Sequence, residues 1–258
     1  MMVSLAACQG KKKAKVDPVV EKGTDVELYT KAQKFMKKNP EKARLLYKQI
    51  MQMYPESIYA NKSKLSIGDS YFQEKDPASL VIAASEYQEY VSLFPYSPDA
   101  AFAKLQIGMC YYQQMRRPER DQSNSQTALK SFESVISQYP GTTQADTARK
   151  KIAEIRQNLA MHYFLIGYYN YRLKAYEGAI ARFKSVINEY PEFKKIDRLL
   201  YITGLCYFSL TDYDSAVSFF QNLISNHPKS KYIKRAQRMI TDCDRQKKKK
   251  PAAPGDKK

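Results

Sequence analysis

Apolar positions recur along this chain at helical spacing, and the pattern itself repeats. A small residue, an aromatic four residues later and a proline twelve residues later occur together five times. The sets are Ala43, Tyr47, Pro55; Ala83, Tyr87, Pro95; Ala128, Phe132, Pro140; Ala179, Phe183, Pro191; and Ala216, Phe220, Pro228. Residues four apart share a helix face, so the alanine admits a partner helix closely and the aromatic is expected to fill the groove between neighbouring hairpins. The proline ends that helix, because it disfavours helical geometry in the residue before it. A glycine stands twelve residues ahead of the alanine in the last two sets, Gly167 and Gly204, where a first helix would pack on a second. Gly68 and Gly108 are the counterparts in the second and third sets, displaced by three and eight extra residues. In the first set Ala32 stands near that position.

This spacing predicts first helices at about 25–38, 57–74, 97–115, 143–173 and 195–210, and second helices at 40–54, 77–94, 124–139, 175–190 and 213–226. A last helix at about 230–247 would cover the apolar face of the fifth hairpin, since the end of a repeat array needs a cap. One interval breaks the rule. From proline to the glycine of the following first helix is thirteen residues after Pro55, Pro95 and Pro191 but twenty-seven, to Gly167, after Pro140. The stretch from Thr143 to Leu173 holds no proline, which predicts one continuous helix about 45 Å long at 1.5 Å per residue. The small-then-aromatic pattern resembles the tetratricopeptide repeat. The expected fold is therefore all-α, a tetratricopeptide-repeat superhelix of five helical hairpins plus a C-terminal capping helix. The expected organisation is a residual signal at 1–8, a basic linker at 9–24, three repeats in 25–142, two repeats and the cap in 143–247, and a basic tail at 248–258.

The formal charge of +17 suggests a nucleic-acid ligand until it is divided along the chain. Residues 1–23 and 244–258 together hold twelve basic and four acidic residues, which leaves 31 basic and 22 acidic residues for the body. Basic runs such as Lys247 to Lys250 are usually solvated, and the alternative is attraction to anionic lipid head groups. Nucleic acid is not an expected partner. Catalytic, metal-binding and cofactor motifs are not found: Cys8, Cys110, Cys206 and Cys243 make no C-x-x-C pair, and His162 and His227 have no partner at metal-ligand spacing. A structural role is expected for both histidines, and burial as small hydrophobes for Cys110 and Cys206.

The chain opens MMVSLAAC, and Leu5-Ala6-Ala7-Cys8 fits the lipobox that precedes an acylated cysteine, although the basic and apolar parts of a signal peptide are not in front of it. Three further features join the lipobox and the repeats: Arg120-Asp121-Gln122, the segment from Ser137 to Phe164, and the segment from Tyr168 to Pro191. With these the body resembles the BamD family of outer-membrane assembly lipoproteins. The resemblance implies a non-catalytic periplasmic scaffold, lipid-anchored through Cys8 at the bacterial outer membrane. Its implied partners are the periplasmic domains of the β-barrel insertase, unfolded outer-membrane protein precursors and other assembly lipoproteins. Arg182 matches by position a family arginine implicated in pairing with the insertase. By tetratricopeptide geometry Asp69, Phe72, Gln73, Met109, Tyr112 and Gln113 would line a groove. Its aromatic and amide lining suits the extended, aromatic-rich ends of barrel precursors. A lipoprotein adaptor for cell-wall or cell-division machinery is the alternative that the same architecture leaves open.

Overall fold

A computed structural model describes residues 21–249, and all regular structure among them is helical. The helices are α1 (Asp25–Phe35), α2 (Pro40–Met53), α3 (Ile58–Glu74), α4 (Pro77–Leu93), α5 (Ala100–Gln113), α6 (Ser123–Gln138), α7 (Thr143–Arg172), α8 (Tyr176–Glu189), α9 (Ile196–Ser209), α10 (Tyr213–Asn226) and α11 (Ile233–Lys249). Successive pairs from α1–α2 to α9–α10 form the five hairpins, and α11 packs on α10 as the cap. The chain divides into two compact units, one ending at Ser97 with α1 to α4 and one beginning at Pro98 with α5 to α11.

Polar residues before the helices satisfy backbone N–H groups that the first turn leaves free. Thr24 and Glu27 form a reciprocal capping box on α1. Asp76 accepts from the amides of Ala78 and Ser79 at 3.1 Å, directly ahead of Pro77, whose missing N–H costs nothing at that place. Thr142 starts the long α7 by accepting from the Ala145 amide at 3.2 Å. The second helices end alike. Tyr54, Phe94, Tyr139, Tyr190 and His227 each precede a proline, and their φ lies between −133° and −129° and their ψ between 56° and 59°. Three of the tight turns inside hairpins place a side-chain-bearing residue in the left-handed region: Lys75, Lys174 and Thr211, with φ of 61–62°.

Each of the four glycines and the aromatic of its hairpin turn out to be one contact. A Cβ built on Gly204 would lie 2.5 Å from the Phe220 ring, one on Gly167 2.7 Å from Phe183, one on Gly108 2.6 Å from Phe132, and one on Gly68 2.9 Å from Tyr87. All four rings are fully buried. The aromatic therefore lies against the first helix of its own hairpin, in the space that a missing side chain leaves, and in the second unit the same buried cluster takes in Ile155, Leu199 and Ile202 of following first helices. In the first hairpin Ala32 and Tyr47 share a buried cluster with Leu28, Leu46 and Ile50. The Tyr47 hydroxyl has no hydrogen-bond partner there, and burial raises its pKa. Lys64 of α3 is buried beside α4 and donates at 2.7 Å to both Glu86 and Glu89. Burial alone would lower its pKa, but the two carboxylates outweigh that and raise it.

Overpacking of this kind costs about 1–3 kcal/mol. Gly204→Ala is expected to lower the thermal midpoint of unfolding by roughly 2–12 °C at the 2–4 °C per kcal/mol typical of this chain size. Gly178→Ala is the control. It adds a Cβ to an exposed α8 position, 3.3 Å from the flexible Asn170 side chain, and gains helix propensity. Its midpoint should stay level or rise, and equal losses in both variants would refute the close-approach account.

Candidate binding surface

Within the first unit, Asp69, Phe72 and Gln73 lie on α3, one, four and five residues after Gly68. The Tyr87 hydroxyl donates to Asp69 at 2.6 Å, so this carboxylate is already engaged inside its hairpin. Phe72 meets the Tyr87 ring edge-on with centroids 6.5 Å apart and is half-buried. Gln73 is exposed. Of these three, only the amide is presented to solvent without being part of the hairpin packing.

Within the second unit, Met109, Tyr112 and Gln113 occupy the corresponding positions after Gly108 on α5. Tyr112 packs edge-on against Phe132 at 6.4 Å, and its hydroxyl donates to Glu154 of α7. The Lys151 ammonium stands 4.4 Å from the Tyr112 ring centroid and pairs with Glu154 at 3.1 Å. The tyrosine hydroxyl, together with Lys151, holds the Glu154 carboxyl below the usual range. Gln113 is exposed, like Gln73.

Three residues of α7 that sequence reasoning did not single out as a set, Asn158, Arg156 and Gln157, gather the segments around it. Asn158 donates to the Arg116 carbonyl at 3.2 Å and to Gln122 Oε1 at 2.6 Å. Gln122 is itself buried and donates to the carbonyls of Arg117 and Arg120, both at 2.9 Å. His162 Nδ1 lies 2.6 Å from the Pro118 carbonyl and donates to it. The Arg120-Asp121-Gln122 motif is thus the seam by which the loop before α6 is stitched to α7. Further along, Arg156 pairs with Glu192, donates to the Glu189 carbonyl and stacks 5.1 Å from the Tyr190 ring centroid. That guanidinium holds the Glu192 carboxyl below its ordinary range, while burial pushes the Tyr190 hydroxyl up to about 12. Gln157 closes the same turn, donating to the Glu192 carbonyl at 2.8 Å and accepting from the Lys194 amide at 3.0 Å.

Arg182 lies on α8 next to the buried Phe183, and its Cβ is 3.2 Å from the place a Gly167 Cβ would take. The side chain is exposed and forms no ion pair among the described residues, neither with Glu177 nor with Glu189. It is a guanidinium standing free on a rigid helical base. Cys8 lies outside the described residues. Cys110, Cys206 and Cys243 are buried free thiols, the first two with pKa values pushed up to about 12 by burial.

This arrangement is that of a tetratricopeptide-type helical array, and residues 198–230 match the tetratricopeptide repeat directly. Residues 21–212, most of the chain, match the YfiO family, described as outer membrane lipoprotein. The chain belongs to that family. It is 25% identical over 187 residues to the outer membrane protein assembly factor BamD of Caulobacter vibrioides, a match covering 72% of this chain and about 60% of the length of that relative. Solved structures similar to it are only loosely superposable. The TPR2AB domain of yeast Sti1, from a pHSP90 complex, gives a TM-score of 0.38 at 9% identity, over 85% of this chain and 98% of that one. A Thermus thermophilus tetratricopeptide protein, TTC0263, gives 0.35 at 13% identity, over 84% of this chain and all of that one.

The two exposed amides separate binding from packing. Gln73→Ala with Gln113→Ala should leave far-UV helicity and the thermal midpoint unchanged and reduce cross-linking to an extended peptide with alternating aromatic residues. Phe72→Ala should in addition lower the midpoint, because truncating a half-buried ring removes part of the roughly 3–5 kcal/mol that a full Phe→Ala change costs. Cross-linking untouched by the double amide change would place the peptide surface elsewhere.

Proposed function

We propose that this chain is a non-catalytic scaffold of the outer-membrane β-barrel assembly machinery, held on the periplasmic face of the bacterial outer membrane by an acyl anchor on Cys8. It binds the periplasmic domains of the β-barrel insertase through the Arg182 face of α8. It receives unfolded outer-membrane protein precursors on the first-helix surfaces around Gln73 and Gln113, and it meets other assembly lipoproteins in the same complex. Membership of the outer membrane lipoprotein family over residues 21–212 is the observation that carries this reading. The name of the Caulobacter relative, an outer membrane protein assembly factor, agrees with it.

The physical support is local. Arg182 is the type of group that an acidic partner would grip, since a guanidinium stays charged and can hold a carboxylate through two parallel hydrogen bonds. Its base is fixed, because Phe183 beside it is locked on Gly167. No helix among the described residues is long and apolar enough to cross a membrane. A membrane attachment through lipid at Cys8 is therefore consistent with the helical body.

Arg182→Glu should reduce recovery of the insertase in a pull-down, since breaking a desolvated interfacial pair costs about 2–5 kcal/mol. The thermal midpoint should move by no more than about a degree or two, because the side chain makes no pair within the chain. An acidic-to-basic change on the insertase should restore recovery. If no such swap does so, Arg182 belongs to the solvated surface. For the anchor, Cys8→Ala expressed with its native upstream region should shift the protein from the outer membrane to the soluble periplasmic fraction, because acyl chains supply the firm attachment. Unchanged fractionation would remove Cys8 from the proposal.

A further inference from the structure

The capping helix α11 has one face that the fold uses and one that it does not. Ala236 and Cys243 are fully buried against the fifth hairpin, with Met239 and Ile240 packed beside them. The opposite side carries Lys234, Arg238, Thr241, Arg245 and Lys248, all exposed, at successive steps of four, three, four and three residues. That spacing keeps the five on one side of the helix in a straight row, about 21 Å long from Lys234 to Lys248 at 1.5 Å per residue. From Lys229 to Lys249 the chain holds nine basic residues and two acidic ones, Asp242 and Asp244. Internal neutralisation is slight: Arg245 pairs with Asp242 at 3.1 Å and Lys247 with Asp214 at 2.5 Å. Lys234, Arg238 and Lys248 have no ion pair among the described residues.

At its N-terminal end the row is unfavourable within the chain. Lys234 and Arg238 are like charges four residues apart, which repel. Lys234 and Arg235 stand in the first turn of α11, which holds no acidic residue and where the helix dipole disfavours cations. An anionic surface outside the chain would reverse both costs.

We propose that the Lys234–Lys248 row is a second membrane contact, docking on the phosphates of anionic phospholipid head groups. The composition of the row favours lipid over a protein partner. Protein interfaces centre on aromatic and apolar anchors and are depleted in lysine, whereas the outward side of α11 between Lys234 and Lys249 presents no exposed large hydrophobic residue. Phospholipids in a fluid leaflet diffuse to meet a row of charges, and each basic residue near such a surface contributes about 1 kcal/mol. The inference rests on the family's place at the outer membrane and is independent of the insertase contact.

The test uses the full-length, unacylated chain and sedimentation with two kinds of vesicle, phosphatidylcholine alone and phosphatidylcholine with roughly one third phosphatidylglycerol. Binding is expected to the anionic vesicles only and to fall steeply as salt is raised to about 0.5 M, where screening is nearly complete over several ångströms. Lys234→Gln with Arg238→Gln and Lys248→Gln should weaken it on the order of a hundredfold at unchanged helicity, and Arg238→Gln alone by roughly fivefold. Lys11→Gln with Lys12→Gln and Lys13→Gln, in the basic linker, should weaken it less. Equal binding to both vesicles, full binding by the row variant, or a loss as large in the linker variant would overturn the inference. So would indifference to anionic vesicles combined with loss of a protein partner in the row variant, which would make the row an acidic-protein contact. The Arg182→Glu pull-down reports on the insertase reading separately, so the two can fail independently.

Discussion

The closest approach between two helices of a hairpin is set by a residue with no side chain. Where Gly68, Gly108, Gly167 and Gly204 face Tyr87, Phe132, Phe183 and Phe220, the ring occupies space that even a methyl group would fill. Burying such a ring contributes about 1.5–3 kcal/mol, and the contact also fixes rotation, because only one turn of the first helix offers the gap. Everything presented outward inherits that register. Phe72 and Tyr112 stand one helical turn beyond their glycines and rest on the locked rings, and Arg182 is the immediate neighbour of one. The surface that could bind partners is positioned by the contacts that hold each hairpin shut.

Much of this was legible because proline and glycine punctuate the chain. The helix expected at 143–173 is observed at Thr143–Arg172, and those expected at 77–94, 175–190 and 213–226 at Pro77–Leu93, Tyr176–Glu189 and Tyr213–Asn226. The residue before each proline reaches nearly one geometry in all five hairpins, a regularity imposed by the pyrrolidine ring on its neighbour. The depth of the aromatic was harder to see. Glycine and aromatic are separated by a hairpin turn of variable length, so their partnership has no fixed spacing along the chain.

The turns and the polar seams were illegible for a different reason. Lys75, Lys174 and Thr211 adopt a conformation for which glycine is the usual sequence signal, and none of them is glycine. Asn158 and Gln122 look like ordinary surface residues until α7 and the preceding loop are side by side, when their amides satisfy backbone carbonyls that would otherwise be left unpaired. For the candidate surface, the residues named from the sequence lie at matching positions on α3 and α5. The sequence could not show that Asp69 is already bonded to Tyr87, since that requires the second helix of the hairpin.

The extra length of α7 also bears on how the chain acquires its structure. In a repeat array most packing joins elements adjacent in sequence, so ordering can begin in any hairpin and spread with small entropic barriers. Here α7 reaches back across 36 to 44 residues, from Asn158 to Gln122 and from His162 to Pro118. Those bonds form only when α5, the loop, α6 and most of α7 are already in place, and closing such a loop costs entropy before any of them contributes. Because α7 also holds the turn after α8 through Arg156 and Gln157, α5 to α8 are tied into one block, to which the fifth hairpin and its cap can add.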